Sequence, residues 1–118
     1  MIVADLEAGI GTLTRLEDKS VDATVVVVEP TPRSMDVAAR AIAVAGDRGQ
    51  GRIIVAANKV ADADDERRIR DAFPDQELLV IPADPVIEKA DRQGLSPVDV
   101  DPASRAVSAI ESLAKLLV

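Results

Sequence analysis

Apolar residues gather in four runs of strand length along this chain, each followed by a stretch with helical spacing. The runs are Ile2–Asp5, Ala23–Val28, Ile53–Ala57 and Leu78–Ile81. Their apolar character is continuous rather than alternating, most clearly in Val25-Val26-Val27-Val28. Unbroken apolar strands are buried on both faces, which points to a parallel sheet covered by helices on each side.

The intervening helices carry start and stop signals. Pro32 and Ser34 open a helix over Met35–Ala45, with Val37, Ala38, Ala41, Ile42 and Ala45 as its apolar stripe and Gly46 and Gly49 as its close. Asp62–Phe73 is charged on most of its surface and leaves Ile69, Ala72 and Phe73 for the sheet, with Pro74 as a stop. Asp84-Pro85 starts a shorter helix to Gln93, ended by Gly94. Asp101-Pro102 reads as cap and first turn of a final helix whose stripe is Val107, Ile110, Leu113, Ala114 and Leu117. Between Gly9 and Asp22 a short helix is expected near Thr12–Leu16.

The resulting order, β-α-β-α-β-α-β-α-α, gives an α/β fold with a parallel sheet of about four strands and right-handed crossovers. Ligands bind at the carboxyl ends of strands in such sheets. The residues placed there are Asp5 to Gly9, Glu29-Pro30, Asn58-Lys59 and Pro82-Ala83-Asp84.

Composition narrows the function classes. The 118 residues make one domain, 47% hydrophobic, with Phe73 as the only aromatic side chain. A net charge of −7 argues against a phosphate-backbone grip on nucleic acid, and the lack of Trp and Tyr removes stacking platforms. With no Cys and no His there is no thiol chemistry and no zinc site of ordinary type. No long apolar run marks a signal peptide or membrane span, so a cytoplasmic location is expected.

Three motifs at the strand ends carry possible chemistry. A strand-end carboxylate such as Asp5 holds a water on Mg²⁺, and a glycine such as Gly9 lets a backbone N–H approach a phosphate oxygen. Asp5 could equally be a polar residue where a buried strand meets solvent. The Asn58 side-chain amide offers donor and acceptor to the edge of a purine, or simply serves a turn. A guanine reader of the Asn-Lys-x-Asp type needs Asp at position 61, where this chain has Ala61, so adenine remains. Pro82-Ala83-Asp84-Pro85 is explained as a strand stop plus helix cap, or as a loop lining a base pocket. The acidic cluster Asp62, Asp64, Asp65 and Glu66 lies at a helix N-terminus and lacks calcium-loop spacing.

In this order the segments Asp5-Leu6-Glu7-Ala8-Gly9-Ile10, Val27-Val28-Glu29-Pro30-Thr31-Pro32-Arg33-Ser34, Ala57-Asn58-Lys59-Val60 and Ile81-Pro82-Ala83-Asp84-Pro85 resemble one family. They look like the C-terminal half of deviant-Walker P-loop ATPases, the class of the Min and Par partition ATPases and the nitrogenase iron protein. Within it the resemblance is nearest to the accessory ATPases that serve nickel insertion into carbon monoxide dehydrogenase. It implies a partial P-loop, Rossmann-like fold with ATP or ADP and Mg²⁺ as ligands. Asp5 would be the Walker B carboxylate, holding Mg²⁺ through water, and Gly9 the switch II glycine. Asn58 would meet the adenine, Pro82, Ala83, Asp84 and Pro85 would line its pocket, and Glu29 to Ser34 would lie near the nucleotide or a dimer surface.

The family's glycine-rich phosphate loop is absent from these 118 residues, as is its Cys-x-Cys metal pair. Base contacts alone imply an affinity of about 1 mM or weaker, on the order of −4 kcal/mol. The expected protein is therefore a truncated or degenerate ATPase-family domain, unable to hydrolyse ATP alone. In the family the strand leading to the phosphate loop lies between those carrying Asp5 and Val25–Val28. Either Ile2–Asp5 closes up against Val25–Val28, or self-association, strand exchange or a phosphate-loop-bearing partner fills that gap. The rival expectation is a non-catalytic, receiver-like or regulatory interaction module that uses the same strand-end edge without nucleotide.

Overall fold

The computed structural model describes residues 1–5, 21–47 and 51–118. Three strands, β1 (Ala23–Val28), β2 (Arg52–Val60) and β3 (Glu77–Pro82), form a parallel sheet in the order β1-β2-β3. Helices α1 (Pro32–Asp47), α2 (Ala63–Ala72), α3 (Pro85–Gln93), α4 (Pro97–Val100) and α5 (Arg105–Leu116) complete the described chain. In-register pairing runs from Ala23↔Arg52 to Val28↔Ala57, and from Ile54↔Glu77 to Ala57↔Val80.

β2 is central, and Ile54, Val55, Ala56 and Ala57 are all 0% exposed. Each full burial of a branched side chain there contributes about 1.5–3 kcal/mol. One face packs Val26, Val28, Val55, Ala57 and Val60 against Ala38 of α1 and Ile69 and Phe73 of α2. The other sets Ala56 and Ile81 against Ala106, with Leu79, Ile87, Ala109 and Leu113 around them. The layers are α1 and α2, sheet, then α5, the arrangement of a partial P-loop nucleotide-hydrolase fold.

The expected fourth strand is not formed. Met1–Asp5 is exposed and outside the sheet, with Ile2 98% exposed. A strand needs a neighbour to pair its backbone, and an apolar run without one has no ladder to join. Within the sheet, β1 pairs only with β2 among the described residues, and Val27 is 60% exposed. The expectation that Val25–Val28 is covered on both faces therefore fails at Val27. The expected helix near Thr12–Leu16 and the stop at Gly49 lie outside the described residues.

Other departures are local. α1 starts at Pro32 and runs through Gly46 to Asp47, and its stripe omits the exposed Val37. On α2, Ala72 is exposed, and Phe73 caps the helix end by donating its N–H to the Ile69 and Arg70 carbonyls. The four-residue α4 was not anticipated, and it takes up the Pro97 start signal. The last helix begins at Ser104, not Asp101, and turns Ala106, Val107 and Leu113 inward while Ile110 stays exposed. No helix among the described residues is long and apolar enough to cross a membrane.

Two tight fixtures hold the amino ends of the strands. The Arg52 guanidinium forks onto both carboxylate oxygens of Glu77 and also donates to the Leu116 carbonyl at 2.7 Å, tying β2, β3 and the end of α5 together. Gly51 sits at φ +67 with its α-carbon pressed against the backbone of Asp22, so that a Cβ would lie 2.3 Å from the Asp22 carbonyl oxygen. Both the left-handed backbone and the close approach demand glycine. Gly51→Ala is expected to cost about 2 kcal/mol or more, read as a lower urea midpoint with an unchanged slope.

Candidate functional site

The carboxyl edge of the sheet is assembled by three strand-to-helix junctions. At the β1–α1 junction, the Glu29 N–H donates to the Ser34 hydroxyl at 2.8 Å and the Ser34 N–H donates to the Thr31 hydroxyl at 3.2 Å. These short side chains satisfy backbone groups at the start of α1. The Arg68 guanidinium of α2 reaches the Pro30 carbonyl at 3.3 Å. The junction is therefore held from its own helix and from α2.

At the end of β2 the strand does not stop at Ala57. It continues to Val60, with a register shift against β3 between Ala57 and Val60. Lys59 takes φ 57, the only positive φ among the described non-glycine residues. Its ammonium meets the Glu29 carboxylate at 2.8 Å, joining the ends of β1 and β2. That partner raises the Lys59 pKa, through the hydrogen bond first and charge attraction second. Asn58 is half-buried beside this pair, and its side-chain amide makes no hydrogen bond with another residue among those described.

At the end of β3, the Ala83 N–H donates to the Val60 carbonyl at 2.9 Å, so the ends of β2 and β3 close together. Pro82 ends β3, Ala83 is exposed, and Pro85 opens α3. Asp84 caps α3 by accepting from the Val86 N–H at 3.0 Å. Its other oxygen accepts from the Ser104 hydroxyl at 2.6 Å and the Ala106 N–H at 3.4 Å. One carboxylate thus serves the N-termini of α3 and α5, where both helix dipoles favour negative charge. Ser104 is the one buried polar residue among those described.

The structure therefore brings Asn58 together with Pro82, Ala83, Asp84 and Pro85 at one sheet edge, through the pairing of β2 with β3. Asp5 stands exposed outside the sheet, and Gly9 lies outside the described residues. No group of three acidic side chains placed to hold a metal ion occurs among the described residues. Two shallow hollows lie along the helices, one among Asp64, Arg67, Arg68 and Asp71, the other between Pro85 and Gln93 on α3. Of the candidate residues only Pro85 touches either hollow.

Comparison with known proteins finds relatives over most of this chain. The chain is 40% identical over 105 residues to the carbon monoxide dehydrogenase accessory protein CooC of Rhodospirillum rubrum. The chain is homologous to that accessory protein. The match takes in 88% of this chain and 40% of the relative. An uncharacterized ATP-binding protein of Methanocaldococcus jannaschii is 31% identical over 116 residues, 96% of this chain and 44% of its own length. The chain thus spans less than half the length of these curated relatives. No family model matches it.

Sequence reasoning did not foresee three residues of the edge in their observed roles. Ser104 was hidden behind the stronger-looking Asp101-Pro102 signal, although Ser followed by a helical stripe is itself a cap pattern. The Glu29–Lys59 pair leaves no trace in spacing, because its partners lie on different strands. The irregularity at Lys59 was legible in principle, since a lysine falls where the inward period of Ile53, Val55 and Ala57 would next place a core residue.

Hydrogen bonds from Ser104 first, then from Val86, Ala106 and Arg105, hold the Asp84 carboxyl below its ordinary pKa. A folded pKa below the unfolded one means stability that is present above the ordinary value, about 4, and lost as pH falls through the folded value. Urea unfolding of the wild type should weaken on acidification below about pH 4. Asp84→Asn should be less stable at pH 7 and show a shallower acid decline, and equal declines in the two proteins would refute the assignment.

Proposed function

We propose that this chain supplies the base-facing part of an ATP site in a protein allied to carbon monoxide dehydrogenase accessory proteins, and that it does not hydrolyse ATP unaided. The observation that carries this reading is Asn58. It lies half-buried on the central strand at the carboxyl edge, with its amide donor and acceptor uncommitted among the described residues. Its charged neighbours are engaged: Glu29 with Lys59, and Asp84 with Ser104 and two helix N-termini. An uncommitted amide supplies both a donor and an acceptor, which the adenine edge requires.

In this reading Pro82, Ala83 and Pro85 form the apolar wall beside the base, and Asp84 keeps that wall in place through its two helix caps. Asp5 and Gly9 act as the Walker B carboxylate and switch II glycine only when a phosphate-binding segment is set beside them. The printed name of one relative, ATP-binding, supports a nucleotide ligand, and that of the other, accessory protein, supports work upon a second protein. The exposure of Val27 on β1, which pairs only with β2 among the described residues, suits addition of a strand from a phosphate-loop-bearing partner.

Titration with ATP–Mg²⁺ tests this, with and without a phosphate-loop half added in trans. The chain alone should bind at about 1 mM or weaker and release no phosphate above the buffer rate. Asn58→Ala should weaken binding roughly fivefold, the worth of about one net hydrogen bond. Unaided hydrolysis, or binding indifferent to Asn58→Ala, would reject the reading.

A further inference from the structure

We propose that the left-handed bulge at Lys59 is a positioning device for Asn58, an inference that rests on the nucleotide reading of that residue and names what sets its place. Ile53, Val55 and Ala57 pack toward α1 and α2, so an uninterrupted strand would next turn Lys59 into that core and Val60 away from it. Val60 is instead 7% exposed and packs in the same cluster as Val55 and Ala57.

One extra residue accounts for the change. From Ala57↔Val80 to Val60↔Pro82, β2 advances three residues while β3 advances two. The surplus is taken up at Lys59, whose φ of 57 is a conformation that residues with a Cβ seldom adopt. The bulge is also latched from the next strand, because Glu29 holds the Lys59 ammonium and Ser34 holds the Glu29 backbone N–H.

The core itself has no need of this device. Without Lys59, the series Ala57, Asn58, Val60 would alternate regularly, and Val60 would still face α1 and α2. What the extra residue alters is the path of the sheet edge that carries Asn58. Bulges beside functional sites re-aim side chains in this way, and an observed backbone outlier is a sound starting point for such an inference.

Two variants of the isotope-labelled chain test it, deletion of Lys59 and Lys59→Gly. The deletion removes the bulge, whereas glycine keeps it without strain and without the ion pair. Each is followed by thermal unfolding, by through-space NMR contacts of the Asn58 side-chain amide, and by the shift of that amide on adding ATP–Mg²⁺. Both should retain the wild-type thermal midpoint or exceed it. Lys59→Gly should keep the Asn58 contacts and the ATP-induced shift, while the deletion should change the contacts and abolish the shift. A deletion variant with wild-type contacts and ATP response would overturn the proposal. So would a deletion variant that fails to fold beside a normal Lys59→Gly, since the bulge would then belong to packing. Absence of any ATP shift in the wild type would instead sink the nucleotide reading, with the Asn58 contacts still deciding the role of the bulge.

Discussion

The burial of β2 between β1 and β3 is the constraint on which the rest of this structure depends. Its four central residues, Ile54 to Ala57, are wholly removed from solvent, and each of the two core clusters takes a part of them. Small residues at Ala56 and Ala57 let Ala106 on one side and the α1–α2 layer on the other approach closely. Because both ladders of the sheet run through β2, its end fixes where the ends of β1 and β3 can lie. Asn58, Lys59, Glu29 and the Pro82–Pro85 turn are neighbours at one edge for that reason.

The edge is stiffened by polar groups that act on the fold. Asp84 and Ser104 join the starts of α3 and α5, and Ser34 fixes the turn that carries Glu29. The exposed Glu29–Lys59 pair adds little energy by itself, since surface ion pairs contribute at most about 1 kcal/mol. Its significance is geometric, because it joins two strand ends at the point where β2 is bulged. In the proposed reading, this rigid surround presents the Asn58 amide, which has no side-chain partner among the described residues, as a recognition surface.

Much of this was legible in the pattern of residues. The runs Ala23–Val28, Ile53–Ala57 and Leu78–Ile81 became strands because continuous branched residues suit a covered parallel sheet. Pro32, Asp84-Pro85 and Gly94 marked helix ends through backbone rules that act locally. Ile2–Asp5 misled for a physical reason: an apolar run records a demand for burial, whereas a strand also requires a partner. Val27 shows the same point from the other side, as a core-like residue left exposed on a strand that pairs only with β2 among the described residues. The double role of Asp84 and the ion pair of Lys59 depend on contacts between distant segments, which spacing along the chain does not encode.

The central claim is that this chain grips the base and not the phosphates. Affinities of adenosine and of ATP–Mg²⁺ for the same purified chain test that claim most directly. A site built from Asn58 and the Pro82–Pro85 wall, with no phosphate loop, should bind the two within about threefold of each other, a difference under about 1 kcal/mol. ATP bound a hundredfold more tightly than adenosine, a gap of roughly 2.7 kcal/mol, would show a phosphate grip within these 118 residues and contradict the account.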